Sequence, residues 1–306
     1  MPMDIAIKYT RLQNRLTHFY QHWMPADPLA LVVYVHGLGD HIGRYSRLVT
    51  SLTSANLAVA LYDQRGHGRS DGRRGHVEGF GNWVEDLAAF VQFSAERQRP
   101  EIPVFIVGQS LGALVAINYV LTHATRVAGL VTISAALHPT VTIPRWKRGL
   151  ATRLKPIAPW MSIDSGVRIP DLTSVVPEVE ALSSDPLFHT RLSISAGLEI
   201  ERNVGLIGGM PHRIHEPLLM LAGTADRICD PQASSWFTAR ASSIDKGCKV
   251  YEGMRHDLLH DHGWEEALLD IRDWIAERAG MIAAHGGQYH LGGRIEVWQN
   301  VSHGQR

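Results

Sequence analysis

The chain has 306 residues, with 30 basic and 30 acidic side chains that cancel to a formal charge of zero, and 45% of its residues are hydrophobic. This length suits one large α/β domain with an insertion and can bury a substantial core. The charge balance gives no footing for a nucleic-acid partner. Two cysteines, Cys229 and Cys248, are too few for a secreted disulfide framework and are read as free thiols.

Residues 4–10 and 15–24 are read as an opening β-hairpin, and Met1 to Arg15 contain no apolar signal core. A buried strand over 31–35 leads into the glycine-rich loop His36-Gly37-Leu38-Gly39-Asp40-His41 and a helix near 43–54. Strand 57–62 meets the turn Asp63-Gln64-Arg65-Gly66-His67-Gly68, whose Arg65, with Arg69, Arg73 and Arg74, is read as loop charge. A helix follows over 81–97. The apolar run from Val104 then stops at Gly108-Gln109-Ser110-Leu111-Gly112, with a helix over 111–123 and a strand over 128–134. Strands alternating with helices predict a doubly wound, mostly parallel sheet.

Residues 137–214 break this rhythm and are too many for a structureless connection, so they are read as a helical cap inserted in a core made of 1–136 and 215–280. Trp146, Leu150, Leu154, Ile157 and Met161 recur at helical spacing, with Arg145, Lys147, Arg148, Arg153 and Lys155 on other faces. Pro156 and Pro159 should end that helix near residue 155. Two readings follow for the stripe: packing on the core, or peripheral docking on a lipid surface through a basic amphipathic segment. The strand 217–223 ends in Thr224-Ala225-Asp226, and a short strand over 248–253 ends in Met254-Arg255-His256. A helix is expected to begin near His260 and His262. Residues 281–306, rich in Gly, His and Gln, are read as a disordered extension. With no run of about 18 apolar residues, the expected location is cytoplasmic, peripheral to a membrane at most.

The chemistry lies at the strand ends. G-x-S-x-G between a strand and a helix lifts a serine to the top of a sheet, the flanking glycines letting strand and helix approach closely. A serine hydroxyl needs a base, and the base needs an orienting acid. His256 and Asp226 follow in the required order, each just past a strand, the edge where open α/β sheets bind ligands. Asp230 precedes Pro231 and fits a helix cap better than the acid. His260 and His262 lie further on, and their spacing with His256 lacks the glutamate of a zinc-protease motif. The backbone N–H groups of Leu38 and Leu111 are the candidate donors for a negative oxygen. No metal or cofactor is implied. Cys229, three residues past Asp226, predicts that a bulky thiol reagent disturbs the site.

The segments His36–Tyr45, Asp63–Ser70, Gly108–Gly112, Ser184–Leu187, Gly223–Asp230 and Tyr251–His256 together resemble the monoacylglycerol lipase/lysophospholipase branch of the serine α/β-hydrolases, over roughly residues 10–280. The resemblance implies hydrolysis of single-chain esters, such as monoacylglycerols, by Ser110, Asp226 and His256. It also implies that Asp40, His41 and Arg44 lie near the alcohol side of the site. The alternatives are a lysophospholipase, a general carboxylesterase and, in a different class, a non-catalytic ligand receptor.

Overall fold

The runs Leu31–Val35, Ala58–Tyr62 and Val104–Gln109 are buried along their whole length, which a strand tolerates only when helices cover both faces of its sheet. The computed structural model describes residues 3–12, 16–98, 102–123, 127–140 and 144–284. In chain order, β1 (Met3–Arg11), β2 (Thr17–Pro25) and β3 (Leu31–Val35) are followed by α1 (Ser46–Ser54), β4 (Ala58–Tyr62) and α2 (Gly81–Ala95). Next come β5 (Val104–Gln109), α3 (Leu111–His123) and β6 (Val127–Ile133). The insertion holds α4 (Arg145–Leu154), β7 (Ser162–Asp164), α5 (Ile169–Leu172), α6 (Val176–Ser184), β8 (Arg191–Ser193) and α7 (Ile194–Gly208). The chain then returns to β9 (Leu218–Gly223), α8 (Pro231–Arg240), β10 (Lys246–Tyr251) and α9 (Trp264–Ala284).

The main sheet runs β1-β2-β4-β3-β5-β6-β9-β10. β1, β2 and β4 are antiparallel, and every pair from β4 to β10 is parallel. This is the α/β-hydrolase architecture. One face is covered by α2, α3 and α8, the other by α1 and α9. The parallel order points the C-terminal ends of β3, β5, β9 and β10 to one edge, so the loops carrying Leu38, Ser110, Asp226 and His256 meet there.

Three expectations need correction. Residues 256–263 are turns, and the last helix begins only at Trp264, because Asp261 and its neighbours bond to the insertion instead. That helix runs to Ala284, so 281–284 belong to it and an extension starts no earlier than 285; residues 285–306 lie outside the described ones. Arg65 is not loop charge: its guanidinium makes a two-point ion pair with Asp86 of α2, whose side chain is only 1% exposed. A planar fork against a buried carboxylate fixes both the turn and the helix.

Candidate active site

The turn from β5 into α3 is built on close approach. A Cβ on Gly112 would fall 2.1 Å from the Val35 carbonyl oxygen, and one on Gly108 would fall 2.5 Å from that of Gly112. Neither fits. Between them Ser110 takes φ +53°, a left-handed conformation that costs a residue other than glycine about 1–3 kcal/mol. The surrounding bonds hold it there: Ser110 N–H donates to Ile133 O at 2.9 Å, while Ser110 O accepts from Ala113 N–H at 3.1 Å.

A second close approach joins the two other loops. A Cβ on Gly223 would meet Met254 O at 2.2 Å, and Ala225 N–H donates to that same oxygen at 2.9 Å. Asp226 and His256 are thereby brought side by side. Ser110 Oγ lies 2.9 Å from His256 Nε2, and His256 Nδ1 lies 2.8 Å from Asp226 Oδ2. The other carboxylate oxygen of Asp226 accepts from the N–H groups of Ile228, at 2.8 Å, and Cys229, at 3.0 Å. Burial works against an imidazolium at His256, but the Asp226 carboxylate outweighs it and holds the pKa well above 6.5. Cys229 is buried, which pushes its thiol pKa up. Asp230 instead caps α8, accepting from Gln232 N–H at 2.9 Å.

Leu38 and Leu111 line the same cavity as Ser110. Leu111 is the first residue of α3, so its N–H has no acceptor within the helix. The Leu38 loop is braced by the turn after β4. Gln64 N–H donates to His36 Nε2 at 3.0 Å, Gln64 Nε2 donates to His36 O at 2.7 Å, and Asp63 accepts from Ile42 N–H at 2.8 Å. At Gly39, with φ +77°, a Cβ would sit 1.7 Å from His189 O of the insertion. His189 N–H donates to Gly39 O at 2.9 Å, tying the insertion to this loop.

Asp40 and Arg44 line the cavity, but His41 does not. His41 turns away: its Nε2 donates to Asp185 of the Ser-Asp-Pro-Leu segment at 2.8 Å, while its Nδ1 accepts from Gly43 N–H at 3.1 Å. Asp40 and Arg44 belong to a polar cluster in the cavity wall whose other members, Gln109, Asp257 and their partners, motif reading did not assign. Arg44 bridges Asp40, at 3.0 Å, and Asp257, at 2.8 Å. Asp257 also accepts from Gln109 Nε2 at 3.0 Å and pairs with His260 at 2.9 Å. Tyr34 and Tyr45 both donate to Gln109 Oε1. Burial alone would raise the Asp257 pKa, yet His260 and Arg44 hold it well below the usual carboxylate range. Gln109 and Asp257 directly adjoin Ser110 and His256 in sequence, so the cluster ties the elbow to the histidine loop. The only sequence signal for it was the position of these polar residues beside catalytic candidates.

The cavity has a volume of about 390 Å³ and is mainly apolar, with Leu38, Val167, Leu172, Phe188, Leu192 and Ile200 in its walls. Asp226, Cys229 and His256 could in principle hold a metal, since their donor atoms lie within 4.8 Å of one another. The carboxylate is already engaged with the imidazole, and the imidazole with Ser110, an arrangement suited to proton transfer.

Residues 26–263 match the family described as serine aminopeptidase S33. The chain is 32% identical over 275 residues to the monoglyceride lipase of Rattus norvegicus, covering 87% of this chain and 89% of that protein. It is 30% identical over 261 residues to the monoacylglycerol lipase of Mycolicibacterium smegmatis, covering 84% and 91%. Among solved structures, the monoacylglycerol lipase of Paleococcus ferrophilus superposes with a TM-score of 0.78 at 30% identity, covering 86% of this chain and 99% of that one. This protein therefore belongs to the serine α/β-hydrolase family, on its monoglyceride lipase branch.

Proposed function

We propose that the protein hydrolyses monoacylglycerols, or similar single-chain esters, to a fatty acid and an alcohol. The observation that carries this reading is a hydrogen-bonded Ser110–His256–Asp226 relay opening on an apolar cavity that contains a charge-compensated polar cluster. In the proposed mechanism His256 accepts the Ser110 proton as the oxygen attacks the ester carbonyl, forming a tetrahedral intermediate. Asp226 orients the imidazole and stabilises its cationic form. The N–H groups of Leu38 and Leu111 hold the oxyanion, each contributing about 10²–10³ in rate. His256 then protonates the departing alkoxide, leaving an acyl-enzyme. It next takes a proton from water, whose oxygen attacks that ester, and returns the proton to Ser110 as the fatty acid leaves.

The apolar wall receives one acyl chain, and Asp40, Arg44 and Asp257 receive the hydroxyls of the alcohol. An aminopeptidase reading, suggested by the family description, would require a carboxylate free to hold an ammonium group. Among the described residues lining the cavity, Asp40 and Asp257 are paired with Arg44, and Glu201 with Arg148. That pairing favours a neutral alcohol. Residues 137–214 act as a cap over the core formed by 1–136 and 215–284. Most of the stripe read from the sequence is exposed: Trp146 is 67% and Ile157 73% exposed, Leu150 and Met161 are exposed too, and Leu154 is half-buried. α4 packs on α7, and Lys155 pairs with Glu199 there. An exposed apolar surface beside basic residues suits docking on an anionic lipid surface. Comparing turnover of glycerol and phosphocholine esters of the same acyl chain tests the substrate class. Preference for the glycerol ester supports the reading, whereas preference for the phosphocholine ester makes the protein a lysophospholipase.

A further inference from the structure

β1 is the outermost strand of the main sheet: it pairs with β2, and among the described residues no strand pairs with its other edge. Exposed edges of this kind invite another strand. Along β1 the side chains alternate between faces, and Met3, Ile5, Ile7 and Tyr9 share one of them, each between 40% and 58% exposed. Ala6, on the opposite face, packs against the core. Among the described residues the strand thus presents an edge with no strand partner, and an apolar ladder beside it.

We infer that this edge is a dimer seam, in which β1 of one copy pairs antiparallel with β1 of a second copy about a two-fold axis through Ala6. The sequence Met3-Asp4-Ile5-Ala6-Ile7-Lys8-Tyr9 is self-complementary in that register. Asp4 stands opposite Lys8 of the second copy, Ile5 opposite Ile7, and Met3 opposite Tyr9, and symmetry repeats each pair. Opposite charges and apolar pairs across an antiparallel ladder both stabilise it. Antiparallel registers centred on Ile5 or Ile7 lose the Asp4–Lys8 pairs. Moving the axis to Asp4 or to Lys8 sets like charges face to face, as does a parallel, in-register pairing. A lone lysine on an edge strand keeps other strands away, but here every lysine has an aspartate to meet. Pairing joins the two eight-stranded sheets into one continuous sheet. The seam is remote from the site, since β2, β4 and β3 separate β1 from the strand that carries Ser110.

The test is the molar mass of the full chain by sedimentation across a concentration series, for wild type, Asp4→Lys, Lys8→Asp and the double exchange, with ester turnover confirming that each variant is folded. The wild type should dimerise. Each single exchange, which puts like charges opposite each other twice, should weaken dimerisation by about tenfold or more. The double exchange should restore it, and all four proteins should retain turnover per chain. A wild type that stays monomeric would overturn the inference, including one that uses this face to bind lipid vesicles. So would single variants that dimerise as wild type does, or a double exchange that fails to restore association.

Discussion

At the level of single residues, the site depends on the electrostatics of His256. Its pKa is raised well above 6.5, and only the neutral imidazole can act as base. Turnover should therefore rise with pH, with the midpoint of the acid limb above 6.5; a limb centred below that value would contradict the assigned pairing with Asp226. Asp226→Asn removes the charge that raises the pKa, so the limb should move to lower pH while kcat falls by about 10⁴. A pH–rate profile of both proteins reads the two effects together. Cys229 donates its N–H to Asp226 from a buried position, so an adduct on its sulfur would crowd the acid loop. Cys229→Ala should abolish inhibition by a bulky thiol reagent, and inhibition that persists unchanged would place the reactive thiol elsewhere. Ser110, Asp226 and His256, the proposed triad, were legible as candidates because each follows a recognisable strand, Ser110 directly after β5, Asp226 three residues past β9 and His256 five residues past β10. Asp257 was not. Its partners Arg44 and Gln109 are more than a hundred residues away in the chain, and its place beside His256 was the one local signal.

At the level of elements, backbone proximity decides where the site can form. Gly112→Ala would drive a methyl group into the Val35 and His36 carbonyls. The resulting displacement of α3 from β3 should destabilise the fold by about 1–3 kcal/mol and reduce turnover, measured by denaturant unfolding beside the ester assay. Asp86→Ala leaves Arg65 without the carboxylate that fixes it and should cost about 3 kcal/mol in the same unfolding measurement. A near-neutral result would mean that the turn after β4 holds itself. The buried strands were legible because apolar runs such as Leu31–Val35 and Leu218–Gly223 have one simple explanation in a parallel sheet. The segment from His256 to Gly263 was not, because its polar residues bond to Thr173 and Ser174 of the insertion rather than to their own helix. Helical spacing there carried no information about those distant acceptors.

For the whole molecule, the insertion is where sequence and structure diverge most usefully. The spacing of Trp146, Leu150, Leu154, Ile157 and Met161 read as one helical stripe of unknown facing; in the structure α4 ends at Leu154, Ile157 and Met161 lie beyond it, and all but the half-buried Leu154 are exposed. Among the described residues no helix is long and apolar enough to cross a membrane. The protein should bind anionic vesicles more tightly than neutral ones, with high salt weakening the binding. Trp146→Ala together with Ile157→Ala should reduce binding by about tenfold. Vesicle co-sedimentation checks this, and equal binding to neutral vesicles, or none to either, would remove the proposed docking role. The most direct measurement of function is hydrolysis of a chain-length series of 1-monoacylglycerols, beside activated p-nitrophenyl esters, by wild type and Ser110→Ala. Turnover of the glycerol esters by wild type, lowered by about 10³-fold or more in the variant, is the predicted result. Absence of any Ser110-dependent turnover would contradict the assigned chemistry, and activity confined to short activated esters would contradict the monoacylglycerol assignment.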